Sequence, residues 1–262
     1  MAEWNSELYL KFKNQRTQPS IDLVKRICIQ HPHSILDIGC GPGNSTKVLK
    51  DFFPDAEVLG IDNSENMIAK AKETYPDITF QISDITDHSQ NLGKFDIIFS
   101  NACLQWVPDH KTLLPALFEK LNENGVLAVQ IPMNEKEMLF QIVNDVVCEE
   151  KWKFASVPIE EMKTLTCEDY FDILSSLTSQ FDVWETVYYH NMPSIDSMID
   201  WIKGSRLRPY LHALNEADQQ LFLSEIAEKA SHAYKKQENG EIIFKFRRFF
   251  FTAVRSAPHS SI

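Results

Sequence analysis

The sequence predicts a doubly wound, mostly parallel α/β sheet with helical insertions before its last two strands. Three observations carry this. Helix and strand periodicities alternate through the first half of the 262 residues, the rhythm of parallel strands joined by crossover helices. A strand-like run, Ser34-Ile35-Leu36-Asp37-Ile38, opens directly into a glycine turn, Gly39-Cys40-Gly41-Pro42-Gly43. A second apolar run, Val58-Leu59-Gly60-Ile61, then ends in Asp62, 21 residues past Gly41.

In chain order, Ile21, Val24 and Cys28 recur at helical spacing and place a first helix ahead of the glycine-turn strand. A helix over 45–53 puts Val48, Leu49 and Phe52 on one face, with Asn44 as its N-cap. A strand over 57–61 follows, then a helix over 65–75 with Met67, Ile68 and Ala71 turned inward. The strand over 78–82 alternates Ile78, Phe80 and Ile82. Phe95-Asp96-Ile97-Ile98-Phe99-Ser100 is nearly all apolar, as a central parallel strand buried on both faces must be. A helix over 110–121 stops near Asn122-Glu123-Asn124-Gly125, a C-cap composition, and a strand over 126–131 ends at Pro132.

Beyond these five strands the rhythm changes. Residues 134–180 read as mainly helical and 181–189 as a strand. Residues 195–236 are helical again, with Ile195, Ile199 and Ile202 in one piece and Leu221, Phe222 and Ile226 in another. The last strand falls within 241–254, and 256–262 is a loose tail. The economical division is 1–133, an N-terminal helical segment with a ligand-binding core, and 134–262, helical insertions with the final two strands of the same sheet. The insertions are expected to form a substrate cap over the strand C-termini, where doubly wound folds bind ligands.

Composition narrows the function classes. Lys and Arg total 26 against 37 Asp and Glu, a formal net charge of −11. Such a surface repels nucleic acid and anionic lipid, whose phosphates normally supply much of the affinity. Neither is expected as a partner, and no obligate protein partner is evident. A small anion remains compatible, because a local basic pocket overrides the global field within a Debye length of ~8 Å. The five cysteines (28, 40, 103, 148, 167) are scattered without a CxxC, which argues against a disulfide framework or a zinc site and for a reducing cytoplasm. No leader-like start and no run of ~20 apolar residues are present, so a soluble cytoplasmic protein is expected.

A strand, a glycine turn, a helix and a second strand ending in a carboxylate together grip an adenosine. The glycines let the backbone pass close to the ligand, and Asp62, followed by Asn63, accepts from both ribose hydroxyls. The spacing is G-x-G-x-G, with Asn44 where a dinucleotide site has its third glycine. Asp37, two residues before Gly39, repels a pyrophosphate but welcomes an ammonium. The pattern therefore reads as S-adenosylmethionine rather than NAD. After the third strand, Asp84 accepts from the adenine amino group while Ile85 packs on the ring, unless Ser83-Asp84-Ile85 is only a solvated turn. Met67 either stacks on the ligand or fills the core. The backbone carbonyl of Asn101, after the fourth strand, reaches the methionine end. Gln105 and Trp106 border the methyl, where an aromatic wall suits a sulfonium; the alternative is a buried structural Trp106.

The second half of this acidic chain carries a run of basic residues: His190, Lys203, Arg206, Arg208, Arg247 and Arg248. Arg206 and Arg208 flank Leu207 just before Pro209, which disfavours helix at Arg208. In an extended segment alternate residues share a face, so both guanidiniums are expected to point at one anion. The plain alternative is a pair of solvated surface arginines.

With these residues in hand, the sequence resembles the trans-aconitate 2-methyltransferase family of S-adenosylmethionine-dependent, Rossmann-like methyltransferases. The resemblance runs from Trp4 to about Val254. It rests on Trp4-Asn5 with Tyr9, Phe12, Arg16 and Pro19, on the glycine turn through Asn44-Ser45-Thr46, on Gly60-Ile61-Asp62, and on Asn101-Ala102-Cys103-Leu104-Gln105-Trp106-Val107-Pro108-Asp109-His110. Later segments are Tyr188-Tyr189-His190-Asn191-Met192-Pro193-Ser194, Asp200-Trp201-Ile202, Leu207-Arg208-Pro209 and Gln237-Glu238-Asn239-Gly240. Cys103 departs from the small residue of that pattern, and 134–165 diverge.

The resemblance implies methyl transfer to a carboxylate of a small polycarboxylic acid, giving a monomethyl ester. A carboxylate is already ionised near neutral pH, so no catalytic general base and no metal are required. Arg206 and Arg208, with Arg16, Tyr188 and His190, are the candidates for binding the carboxylates that do not react. Trp4, Tyr9 and Arg16 are expected to belong to a lid over the cofactor mouth. Rival readings are a methyltransferase of a fatty acid, an acyl-carrier-protein-bound acid or a phenol, an NAD enzyme, and a non-catalytic nucleotide-binding module.

Overall fold

The computed structural model describes residues 12–87, 92–154 and 162–256. The chain enters through α1 (Lys13–Val24), whose Leu23 and Val24 are buried. Ile27, not the exposed Cys28, continues the apolar face. β1 (Ser34–Ile38) follows and is buried from Ile35 onward. Next come α2 (Asn44–Phe52), β2 (Glu57–Asp62), α3 (Glu65–Thr74), β3 (Thr79–Ile82), β4 (Phe95–Asn101), α4 (His110–Glu119) and β5 (Leu121–Pro132). α5 (Met138–Val147) and α6 (Cys167–Leu177) precede β6 (Phe181–Met192). α7 (Ile195–Lys203), α8 (Arg208–Ala213) and α9 (Glu216–Ala233) precede β7 (Ile242–Val254). Helices therefore do precede each of the last two strands.

The seven strands form one sheet in the order β3-β2-β1-β4-β5-β7-β6. β1 lies parallel between β2 and β4, with Ile35 opposite both Val58 and Ile97. The β2–β3 and β4–β5 pairs are parallel too. β4 is buried almost throughout, as its unbroken apolar run requires.

Several local expectations are corrected. Asn44 is not an N-cap but the first residue of α2; Gly43, at φ 89°, caps it without a side-chain bond. Phe52 is 44% exposed, leaving Val48 and Leu49 to face the core. Ile82 is also exposed because β3 is an edge strand. The 122–125 segment does not end a helix: β5 starts at Leu121, and the register against β4 shifts between Phe95 and Ile97. Asp96 anchors this irregularity. Its Oδ2 accepts from the His33 and Ser34 N–H groups (2.7 and 3.1 Å), and its Oδ1 from Asn122 Nδ2 (2.7 Å). Burial raises the pKa of this carboxyl, but these donors together hold it below the ordinary value.

The chain divides into two compact units. Among the described residues the first holds 13–87, 92–132, 162–186 and 249–256. Here Arg255, after β7, donates to the carbonyls of Glu119 and Leu121 (2.6 and 2.9 Å) and pairs with the Glu119 carboxylate (2.9 Å). Trp184 stacks on Phe250 at 5.1 Å. Thr166 and Asp169 close a capping box at the start of α6.

The second unit holds Phe12, 133–154 and 187–248 among the described residues. Its core is aromatic: Phe222 meets Trp152 and Phe154 edge to face, and Phe154 meets Tyr210 the same way. Lys151 and Lys229 bridge Glu149 and Glu225 at its surface. Among the described residues no helix is long and apolar enough to cross a membrane.

Candidate active site

β1 ends in the glycine turn, and two of its glycines resist substitution for different reasons. Gly39 has φ 69°, and a Cβ there would collide with the Cβ and Sγ of Cys103. Gly41 has φ 54° with open space above it, and its N–H donates to Asp62 Oδ2 at 3.0 Å. The turn is also tied to β2, because the Gly39 and Cys40 N–H groups donate to the Ile61 carbonyl at 2.8 and 2.9 Å. Backbone left open at such a turn is what a ligand needs for close approach.

Asp37 is fully buried beneath the turn. Ser45 Oγ and Thr46 Oγ1, from the first turn of α2, each donate to its Oδ2 at 2.7 Å. Its Oδ1 is buried with no hydrogen-bond partner among the described residues. Burial pushes its pKa up to about 6, against the two hydroxyls that pull it down, with the nearby Asp62 charge adding to the rise. Asp62 closes β2 half-buried, its pKa raised by burial against the Ser64 and Gly41 N–H groups. Its Oδ1 accepts from Ser64 N–H at 2.9 Å. Each oxygen thus spends one lone pair on the loop and keeps capacity for a further donor.

Other sequence-predicted residues gather at the same C-terminal edge. Asn44 Oδ1 accepts from Tyr75 Oη at 3.3 Å, while its Nδ2 is buried without a partner among the described residues. Asn101 Oδ1, at the end of β4, is in the same condition. Gln105 Nε2 donates to the Ala102 carbonyl at 2.8 Å, leaving its Oε1 buried and unmatched among those residues. Trp106 is half-buried, Met67 is buried and Asn63 exposed. Asp84 Oδ1 accepts from Thr86 N–H and Oγ1 (2.9 and 2.7 Å), which makes a turn with Ile85 half-buried inside it. Unmatched buried polar atoms are rare in folded proteins. Four of them on β1, α2, β4 and the turn after it suit a ligand bearing ammonium, carboxylate and hydroxyl groups. The residues present fit S-adenosylmethionine.

One pair escaped the sequence reading. His110, buried at the start of α4, holds Tyr170 Oη at 2.6 Å through Nδ1 and the Leu104 carbonyl at 2.8 Å through Nε2. It fixes the short 3-10 turn Leu104–Trp106 that carries Gln105 and Trp106. The sequence separation of 60 between His110 and Tyr170 hid the pairing.

Among the anion candidates, Arg16 is buried in the first unit. The others lie in the second. The expected extended pair at Arg206 and Arg208 is corrected: Arg208 is the first residue of α8. Pro209 is tolerated in that first turn, where its missing N–H costs nothing. Arg206 donates instead to Asn144 Oδ1 and lies 5.8 Å over the Tyr210 ring. Tyr188 and His190 do come together, their rings parallel at 6.0 Å. His190 packs at 4.6 Å on Trp201. Arg248 joins them, 5.9 Å over Tyr188 and 4.7 Å over Phe246. The expected lid residues Trp4 and Tyr9 lie outside the described residues, as does most of the expected tail.

Comparison with known proteins agrees with this geometry. Residues 30–165 match the family model described as a methyltransferase domain. The chain is 41% identical over 256 residues to a trans-aconitate 2-methyltransferase of Escherichia coli, covering 97% of this chain and 99% of the relative. In fold it is similar to the YcgJ protein of Bacillus subtilis (TM-score 0.60, 16% identity, 92% of this chain and 100% of that one). It is also similar to Haemonchus contortus phosphoethanolamine N-methyltransferase 2, solved with phosphomonomethylethanolamine and S-adenosylhomocysteine (TM-score 0.56, 19% identity, 92% of this chain and 53% of that one).

Proposed function

The chain belongs to the trans-aconitate 2-methyltransferase family of methyltransferases, and we propose that it methylates one carboxylate of trans-aconitate, or of a closely similar polycarboxylate, from S-adenosylmethionine. The observation that carries this is the 41% identity spanning 97% of this chain and 99% of the relative. S-adenosylmethionine, when bound, supplies an electrophilic methyl group on a sulfonium.

What this chain contributes is binding and alignment. Asp62 holds the ribose hydroxyls through the lone pairs left after Gly41 and Ser64. The buried, unmatched Asp37 Oδ1 would hold the ammonium, and Asn44, Asn101 and Gln105 would serve the remaining polar groups. Asn63, Met67, Asp84, Ile85 and Trp106 complete the cofactor's surroundings. The acceptor carboxylate is ionised near pH 7, so no side chain has to remove a proton. Rate enhancement then comes from positioning, worth up to ~7–11 kcal/mol when reacting atoms are aligned. Arg16, Tyr188, His190, Arg206 and Arg208 are the residues proposed to serve the unreacting carboxylates.

The test is incubation with methyl-labelled S-adenosylmethionine and a panel of acids: trans-aconitate, citrate, itaconate, a fatty acid and a phenol. Label is expected in a base-labile ester of the polycarboxylates. Preference for the fatty acid or the phenol, or binding of NAD in place of S-adenosylhomocysteine, would overturn the assignment.

A further inference from the structure

We propose that Arg248 and His190 form one carboxylate-binding subsite in the second unit, an anchor for an acceptor carboxylate that is not methylated. The proposal rests on the function proposed above and selects Arg248 from the basic residues of the second half, where the sequence pattern favoured Arg206 and Arg208.

The placement follows from strand periodicity. β6 and β7 are neighbours in the sheet, and alternate residues along each share a face. Tyr188 and His190 from β6 meet Phe246 and Arg248 from β7 on one such face. Trp201 of α7 covers them, 4.6 Å from His190 and 5.6 Å from Phe246. Tyr189 and Lys245 meet on the opposite face, where Tyr189 is exposed and Lys245 lies 5.7 Å over its ring.

The chemistry of the buried face is specific. Arg248 is only 4% exposed, and its guanidinium lies against two aromatic rings. Such rings stabilise a desolvated cation by about 0.5–2 kcal/mol while excluding water, which strengthens any ion pair formed there. His190 is 8% exposed, and its Nε2 is buried with no hydrogen-bond partner among the described residues. Burial and the Arg248 charge push its pKa down to about 4, so the ring is neutral at physiological pH. In the tautomer with hydrogen on Nε2 it offers one directed donor and adds no second charge. A fork-shaped cation beside a neutral donor between apolar walls suits a planar monoanion, and a carboxylate fits it bidentately.

The experiment is steady-state kinetics on full-length Arg248→Gln, Arg248→Lys and His190→Gln with trans-aconitate and with itaconate, which has one carboxylate fewer. S-adenosylhomocysteine affinity and the melting temperature report on folding. Arg248→Gln is expected to raise KM for trans-aconitate by on the order of 10–100-fold, the range for loss of a hydrogen bond to a charged group. It should change kcat by less than threefold and leave S-adenosylhomocysteine binding unchanged. His190→Gln, which keeps a donor, should raise KM by less than Arg248→Gln does. The penalty should shrink with itaconate, and Arg248→Lys should recover only part of the loss. If Arg248→Gln does not fold, the lysine variant must still show the raised KM for trans-aconitate. Unchanged KM in the arginine variants, or a fall in kcat alone, overturns the subsite and leaves the proposed function standing. A parent enzyme that methylates no polycarboxylate overturns the function and the subsite with it.

Discussion

Replacing Asp37 by Asn should make the ligand-free protein more stable and the cofactor site weaker. The carboxyl is fully buried, and its pKa is raised from 3.8 to about 6. Because the folded state holds the proton more tightly than the unfolded chain, Asp37 carries no penalty below pH 3.8. The penalty grows as pH rises towards 6 and is complete above it. About two units at ~1.4 kcal/mol each make the buried charge cost up to ~3 kcal/mol at pH 7.5. Asparagine keeps an oxygen for Ser45 and Thr46 and removes the charge. At ~2–4 °C per kcal/mol for a chain of this size, the variant should melt several degrees higher at pH 7.5. The advantage should vanish near pH 4. The ammonium loses its charge-assisted partner, so S-adenosylhomocysteine should bind ~1.5–3 kcal/mol more weakly. Scanning fluorimetry across pH and calorimetric titration read the two effects. A variant that melts at or below the parent at pH 7.5 refutes the buried-charge argument. Unchanged affinity refutes the ammonium contact.

Asp62→Ala should weaken S-adenosylhomocysteine by about 2–3 kcal/mol in calorimetry, since it removes the ribose acceptor and frees the Gly41 and Ser64 N–H groups. An unaltered dissociation constant would remove Asp62 from the site. Gly39→Ala meets both a positive φ and the Cys103 side chain, and should cost at least ~1–3 kcal/mol in urea unfolding. Ala substitution at Cys103 should not restore it fully, because the Cβ at position 103 and the backbone strain both remain. For His190, whose folded pKa is depressed from 6.5 to about 4, the unfolded chain takes up the proton first. This residue should therefore cost up to ~3 kcal/mol of stability as pH falls from 6.5 to 4. The loss should be absent in His190→Gln, and an identical pH profile in that variant would contradict it.

The glycine turn, with Asp62 tied to Gly41 and Asp37 beneath α2, was legible because positive-φ positions at a strand end leave glycines at fixed spacing. The β4 run was equally plain, since burial on both faces demands an unbroken apolar sequence. Failures came where tertiary context decides. Asn44 satisfies the composition of an N-cap, yet Gly43 at φ 89° takes that place. The stretch 122–125 looks like a helix end, yet Asp96, from the neighbouring strand, holds Asn122 in an irregular β-ladder. Arg206 and Arg208 look like an extended pair, but the preference before proline gives way when that proline opens a helix. Arg248 could not be told from Arg247 by sequence. Only the register of β7 against β6 decides which one faces Tyr188 and His190.

The strand order has a consequence for how the protein is made. β7, the last strand of the chain, lies between β5 and β6 and not at the edge. A nascent chain that has completed β6 therefore has five parallel-core strands, an unfilled slot beside the apolar β5, and no means of closing it. Closure waits for the final residues, where the Asn124 N–H meets the Arg255 carbonyl and the Arg255 guanidinium clamps Glu119. Contacts this distant in sequence form slowly, and an open strand edge invites pairing with other chains in the interval. Truncation just before β7 should accordingly give aggregates rather than a slightly weakened enzyme.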